Sequence, residues 1–190
     1  MGQRLNIEIT DGEKTLANSY YHWSAYSGPA LCLLKEIICA YKSAKSVRML
    51  DIAVELLQAT GAGINEDERS RIDADKSGRF DNIHFNEATN RNDGLIAVTD
   101  EGIEETRSWE EGRVTIDLAS ESFAFDVFWR YLQEEFKEEY ECDECDDFPE
   151  RDFDFCESTP FSDITKVEEL MNECPDGYRL PCGDLIRWIR

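Results

Sequence analysis

Leu5, Ile7 and Ile9 alternate with polar residues at the start of the chain, the two-residue period of a strand with one buried face. Asp11 and Gly12 supply a turn, and the apolar-rich run 16–23 predicts the second arm of a hairpin. The period then lengthens. Pro29 stands where a first helical turn accepts proline, and Leu31, Leu34, Ile38 and Tyr41 follow at helical spacing. A second amphipathic helix is predicted from Val47, Leu50, Val54 and Leu57, with Gly61, Ala62 and Gly63 as its stop signal. Residues 65–93 carry no apolar period and read as polar and irregular.

Ordered structure resumes at Gly94, Leu95, Ile96, Ala97 and Val98, followed by a ribbon over 106–118, a turn over 119–122 and an alternating strand at Phe123, Phe125 and Val127. Phe128, Leu132, Phe136 and Tyr140, spaced four apart, predict a helix over 128–140. A short closing helix is expected over 164–171, and Leu185, Ile186, Trp188 and Ile189 read as a final docked element. Three or more strands plus helices predict an α+β fold, an antiparallel sheet with helices packed on one face and an acidic helical C-terminal part. The domain reading is an α+β core over 1–130, with the acidic helix, a Cys-containing acidic ribbon and the closing element over 131–190.

Charge changes this picture most. The 190 residues hold 42 Asp and Glu against 20 Lys and Arg, a net charge of −22. Residues 1–95 contain 14 acids and 11 bases, net −3, and residues 96–190 contain 28 acids and 9 bases, net −19. Within the second half, residues 134–157 carry 13 acids against Lys137 and Arg151, net −11. Such a field repels nucleic-acid phosphates and anionic membrane surfaces and makes basic proteins the natural partners. The hydrophobic fraction of 41% supplies enough material for a packed core.

No run reaches the roughly 18 apolar residues of a spanning helix, and the N-terminus lacks the apolar core of a signal peptide, so a soluble, cytoplasmic protein is expected. Gly2 invites a myristoylation reading, but Asn6 stands where that motif wants Ser or Thr. Seven cysteines, an odd number without a secretory signal, argue for thiols or metal ligands over a disulfide framework.

The strongest functional lead is the acidic stretch. On the predicted helix, Glu134, Glu138 and Glu141 form a row opposite the Phe128, Leu132 and Phe136 face. Residues four apart on a helix lie about 6 Å apart along its axis, a spacing on the scale of phosphates along a strand. Asp143, Glu144, Asp146, Asp147, Glu150, Asp152 and Asp154 prolong the negative ribbon, interleaved with Phe148, Phe153 and Phe155 as apolar anchors. Glu135 and Glu139 project toward the apolar arc and fit the row poorly. The bland alternative is a solvated acidic surface or tail, the ordinary fate of such runs.

Other candidates are weaker. Cys142 and Cys145 make a CxxC step of the kind zinc sites use, and Cys142, Cys145, Cys174 and Cys182 would complete a four-thiolate set. The second half is not a CxxC, so ordinary thiols and no cofactor are the expectation. Asp73, Asp75, Ser77, Gly78 and Asp81 follow the opening of a calcium loop, yet His84 occupies the twelfth position, where a bidentate carboxylate belongs. A polar turn is the expectation there. Within the aromatic run 20–26, His22 and Ser24 would share one face of a strand, inviting a base and nucleophile reading. A buried aromatic strand is the plainer account, and no nucleophile elbow, phosphate loop, HExxH or dinucleotide fingerprint accompanies the pair.

The runs LNIEITDGEKTLANSYYHWSAYS and NRNDGLIAVTDEGIEETRSWEEGRVTIDL resemble small proteins carried by phages and mobile elements of Gram-positive bacteria, over roughly residues 4–130. With its acidic second half, the chain is similar in kind to phage anti-defence proteins, including anti-CRISPR inhibitors. That class has no shared motif, so the resemblance assigns no residue. It implies an inhibitor that acts in the host cytoplasm as an acidic DNA mimic on the basic nucleic-acid-binding surface of a nuclease, plausibly an RNA-guided one. Two alternatives stay open: a hydrolase or transferase on the α+β core, and a regulatory module for another basic protein.

Overall fold

The computed structural model describes residues 4–22, 24, 27–89, 94–126 and 158–165. Strand β1 (Leu5–Thr10) turns into β2 (Thr15–Tyr21), and two helices follow, α1 (Ser27–Tyr41) and α2 (Met49–Ala59). Helix α3 (Glu66–Ala74), β3 (Leu95–Ala97), α4 (Asp100–Arg107), β4 (Gly112–Asp117), β5 (Ser122–Asp126) and β6 (Thr159–Pro160) complete the order. A 3-10 turn, Phe161–Asp163, closes the described chain.

The six strands form one sheet in the order β3-β2-β1-β4-β5-β6. It is mixed. The β1–β4 pair is parallel, with Ile7 opposite Val114, while the β1–β2, β2–β3, β4–β5 and β5–β6 pairs are antiparallel. The expectation of a purely antiparallel sheet is therefore corrected, because β4 reaches β1 through the long excursion of β2, the helices and β3, which lets it arrive in either sense.

Alternation along β1 divides the sheet into two unlike faces. Leu5, Ile7 and Ile9 on one side join Leu31, Leu34 and Ile37 of α1, Val54, Leu56 and Leu57 of α2, and Val114, Ile116 and Phe123 in the core. On the other side, α4 lies against β2 and β3, with Thr106 and Arg107 bonded to Asn6 and Glu8. Helices thus cover both faces, not one.

Local chemistry explains the turns and caps. The Asp11 carboxylate accepts from the backbone N–H groups of Glu13 and Lys14, at 3.2 and 3.0 Å, and Gly12 takes φ +89°, a conformation costly for other residues. Those bonds, led by the one from Lys14, hold the Asp11 pKa below its ordinary value. Val47, expected on the apolar face of the second helix, is 92% exposed in the loop before α2. Helix α3 falls in the stretch read as polar and irregular, and α4 covers Asp100–Arg107, a stretch given no element except for its last two residues, where the ribbon was expected to start. Each is capped: Asn65 accepts from Glu68 N–H and Thr99 from Gly102 N–H.

Gly63 is fixed by close approach. Its neighbourhood extends the sheet edge beyond β3, pairing Gly63 with Leu95 and Ile64 with Glu87. A β-carbon on Gly63 would sit 2.6 Å from the backbone N of Ala88.

Candidate functional site

The predicted partner-binding residues, Glu134, Glu138, Glu141, Asp143, Glu144, Asp146, Asp147, Glu150, Asp152 and Asp154, lie outside the described residues. So do the predicted helix over 128–140 and Cys142, Cys145, Cys174 and Cys182. What the structure does describe is how this stretch is bracketed. The chain leaves the sheet at the end of β5 and comes back on β6, which pairs antiparallel with β5 through Ser122–Pro160 and Phe123–Thr159. The most acidic part of the sequence therefore departs from, and returns to, the same edge.

The returning segment is held by side chains as well as by strand pairing. Ser158 Oγ donates to Ser122 Oγ at 2.6 Å, Ser122 and Ser120 hydroxyls lie 2.7 Å apart, and Ser120 donates to the Asp117 carboxylate. Phe161 N–H donates to the carbonyl of Glu121 at 2.8 Å. The Tyr41 hydroxyl donates to Glu121 Oε1 at 3.2 Å, and the Tyr41 and Phe161 rings meet edge to face at 5.4 Å. Burial first, and then the Glu121 carboxylate, raise the Tyr41 pKa.

His22 and Ser24 are near in sequence but do not form a base and nucleophile pair. Strand β2 ends at Tyr21, so the shared strand face predicted for them is absent. Ser24 Oγ donates to the backbone carbonyl of His22 at 3.3 Å, and His22 Nδ1 meets the Tyr20 hydroxyl at 2.7 Å. Tyr20 in turn packs edge to face on Trp109, and burial raises its pKa. The Ser24 proton is thus directed at a carbonyl, whereas nucleophilic activation would direct it at the imidazole.

The calcium-like segment forms the polar turn expected of it. Asp75 accepts from Ser77 N–H, Lys76 Nζ donates to the Asp73 carbonyl, and Gly78 takes φ +78°. Bonds from the Ser77 hydroxyl and then its backbone N–H hold the Asp75 pKa below the ordinary value. The turn borders a groove of about 760 Å³ whose lining includes Arg69, Ile72, Asp73, Lys76, Asp81 and Phe85. Among the described residues, no group of three or more His, Cys, Asp or Glu side chains is arranged to hold a metal. Cys32 is buried on α1 and Cys39 is exposed.

Three buried polar clusters escaped the sequence reading. Arg107 grips Glu8 with Nε and Nη2, at 2.6 and 3.2 Å, and Nη2 also donates to Thr15 Oγ1. That carboxylate holds the Arg107 pKa above its ordinary value. Asn6 Nδ2 donates to the Thr106 carbonyl and Asn18 Nδ2 to the Thr106 hydroxyl, both at 3.0 Å. Glu68, 2% exposed, accepts from Val98 N–H and Thr99 N–H, both at 2.7 Å, and from Thr99 Oγ1 at 2.9 Å. These groups fasten α3 and α4 to the sheet. The alternation that exposed the apolar face of β1 also placed Asn6 and Glu8 opposite it, but nothing local distinguishes a solvated polar face from one covered by a helix.

No protein-family model, curated protein or solved structure matches the chain. Among the described residues, no helix is long and apolar enough to cross a membrane.

Proposed function

We propose that the protein acts by binding, as an acidic mimic of nucleic acid that occupies the basic nucleic-acid-binding surface of a host defence nuclease. The observation that carries the reading is the net −11 of residues 134–157 within a chain of net −22. RNA-guided nucleases hold their heteroduplex and read the duplex beside it through Lys and Arg, so an anion of matching spacing competes for that surface without any chemistry. Complementary fields speed encounter and make it salt-sensitive. The resemblance to phage anti-defence proteins points the same way. Bracketing of the stretch by paired strands adds support, since a segment anchored at both ends surrenders less entropy on binding than a free tail.

The test is a pull-down of the tagged protein from bacterial lysates expressing a panel of defence nucleases, eluted with a salt gradient and challenged with competing DNA. Capture of one nuclease, released by DNA or salt, is the expected result. Glu134→Lys, Glu138→Lys and Glu141→Lys combined should then weaken inhibition at least tenfold with the fold intact. Unchanged inhibition would refute mimicry. Capture of a basic protein that binds no nucleic acid would favour a regulatory module.

A further inference from the structure

We infer that the groove beside the end of α3 is a seat for an arginine side chain presented by the protein's basic partner; the seat stands on described residues alone, and the basic partner rests on the binding reading above. The groove measures about 760 Å³, within the roughly 300–1,000 Å³ of sites that take small organic groups. It has room for a side chain with its flanking peptide. Ile72, Phe80 and Phe85 supply its apolar lining, and Asp73, Lys76 and Asp81 stand along its rim.

One wall is irregular chain, yet two helices fix it. Arg48, the N-cap of α2, donates to the carbonyls of Arg79 and Asp81 at 3.5 and 2.9 Å. Gln58 of α2 donates to the His84 carbonyl at 3.2 Å and accepts from Asn86 N–H, and Arg69 of α3 donates to the Phe85 carbonyl at 3.4 Å. A wall held in this way surrenders little freedom when a ligand arrives.

Charge and ring chemistry select the ligand. The cations around the groove are engaged within the chain: Lys76 Nζ donates to the Asp73 carbonyl at 2.7 Å, Arg79 pairs with Asp100 at 3.2 Å and Arg48 with Asp51 at 2.7 Å. Asp75 is turned onto Ser77. Asp73 and Asp81 are exposed, and their carboxylates accept no hydrogen bond from a described residue. An incoming cation therefore meets two open carboxylates beside aromatic rings. Those rings already take guanidinium groups, Arg69 lying 5.8 Å from the Phe85 centroid and Arg79 5.2 Å from that of Phe80. A planar guanidinium stacks on such surfaces and grips a carboxylate with two parallel N–H bonds, which a compact, strongly hydrated ammonium does not.

The full chain, isotope-labelled, is titrated with Nα-acetyl-arginine amide while its backbone amide resonances are followed. Amides of Ser77, Gly78 and Asn82 should shift saturably, and the lysine analogue should bind roughly threefold more weakly. Equal affinity for the two analogues overturns the arginine assignment. Asp73→Asn and Asp81→Asn, each removing one negative charge, should each weaken arginine binding about threefold, whereas Glu13→Gln, which removes the same charge at the exposed β1–β2 turn, should leave it unchanged. Unshifted amides of β1 and β4 report that the fold is kept. Shifts that never saturate, or a Glu13→Gln loss equal to that of the groove variants, overturn the seat, since general attraction to a chain of net −22 gives both.

Salmine, an arginine-rich polypeptide, separates this inference from the reading it rests on. A parent that binds salmine while the groove amides stay still overturns the seat and leaves the binding reading standing. Saturable arginine shifts in the groove without salmine binding overturn the basic partner and leave the seat.

Discussion

Glu68 is the residue whose removal should damage the fold most for its size. Its carboxylate comes from α3, is 2% exposed, and accepts two backbone N–H groups and a hydroxyl at the start of α4. Arg71 adds an ion pair at 3.4 Å. Glu68→Ala leaves the buried Val98 N–H and the neighbouring Thr99 N–H without an acceptor, and each orphaned buried donor costs about 1–3 kcal/mol. Adding the void, the expected loss is about 3–5 kcal/mol, a large share of the roughly 5–15 kcal/mol that holds a domain together. Glu68→Gln keeps one oxygen facing the two N–H groups and should lose about 1–2 kcal/mol. The space is already full, since a β-carbon on Gly102 would come within 2.8 Å of the Glu68 carboxyl carbon. Glu105 supplies the control. It pairs with Arg71 at 2.7 Å but is 42% exposed, so Glu105→Ala should cost under about 1 kcal/mol. Urea titration followed by far-ultraviolet circular dichroism measures all three. A Glu68→Ala loss no larger than that of Glu105→Ala would refute the claim that this carboxylate joins α3 to α4.

Arg107→Ala should cost about 2–3 kcal/mol, because Glu8 is left 6% exposed with its guanidinium gone, a figure kept below that of a fully buried pair since Arg107 is 36% exposed. The double change Glu8→Leu and Arg107→Met should recover part of that loss in the same urea assay; no recovery would show that packing, not the stranded charge, dominates. Tyr21 gives a pH signature: burial pushes its pKa up to about 12 from 10.0. A raised folded pKa means stability fully present below pH 10 and lost as pH climbs toward 12, by about 2–3 kcal/mol. Tyr21→Phe should be less stable at neutral pH through the lost bond to Thr60 and should lack this alkaline decline; parallel curves for the two proteins would contradict the assignment.

Much of the fold was legible because hydrophobic period is a local property. The apolar alternation at Leu5, Ile7 and Ile9 and the helical spacing at Leu31, Leu34 and Ile38 each named their element correctly, since a side chain's direction depends only on its own backbone. Val47 misled for the opposite reason. It has the right spacing, but helix α2 begins at Met49, and its N-cap Arg48 makes no side-chain capping bond that would mark the start locally.

The acidic site divides the same way. Charge adds along the chain, so the sequence by itself determined that residues 134–157 hold net −11 and that basic surfaces are their natural counterpart. It also determined the β1–β2 hairpin and the two helices on the apolar face. Tertiary structure alone decided that α3 and α4 form without a strong apolar stripe, because the stabilising contact is a carboxylate reaching from Glu68 to Val98 and Thr99, 30 and 31 residues away. It alone set β4 parallel to β1, covered the polar face with α4, and brought Thr159 back beside Phe123. Those pairings join residues far apart in sequence, and their free energy lies in partners that no local pattern names.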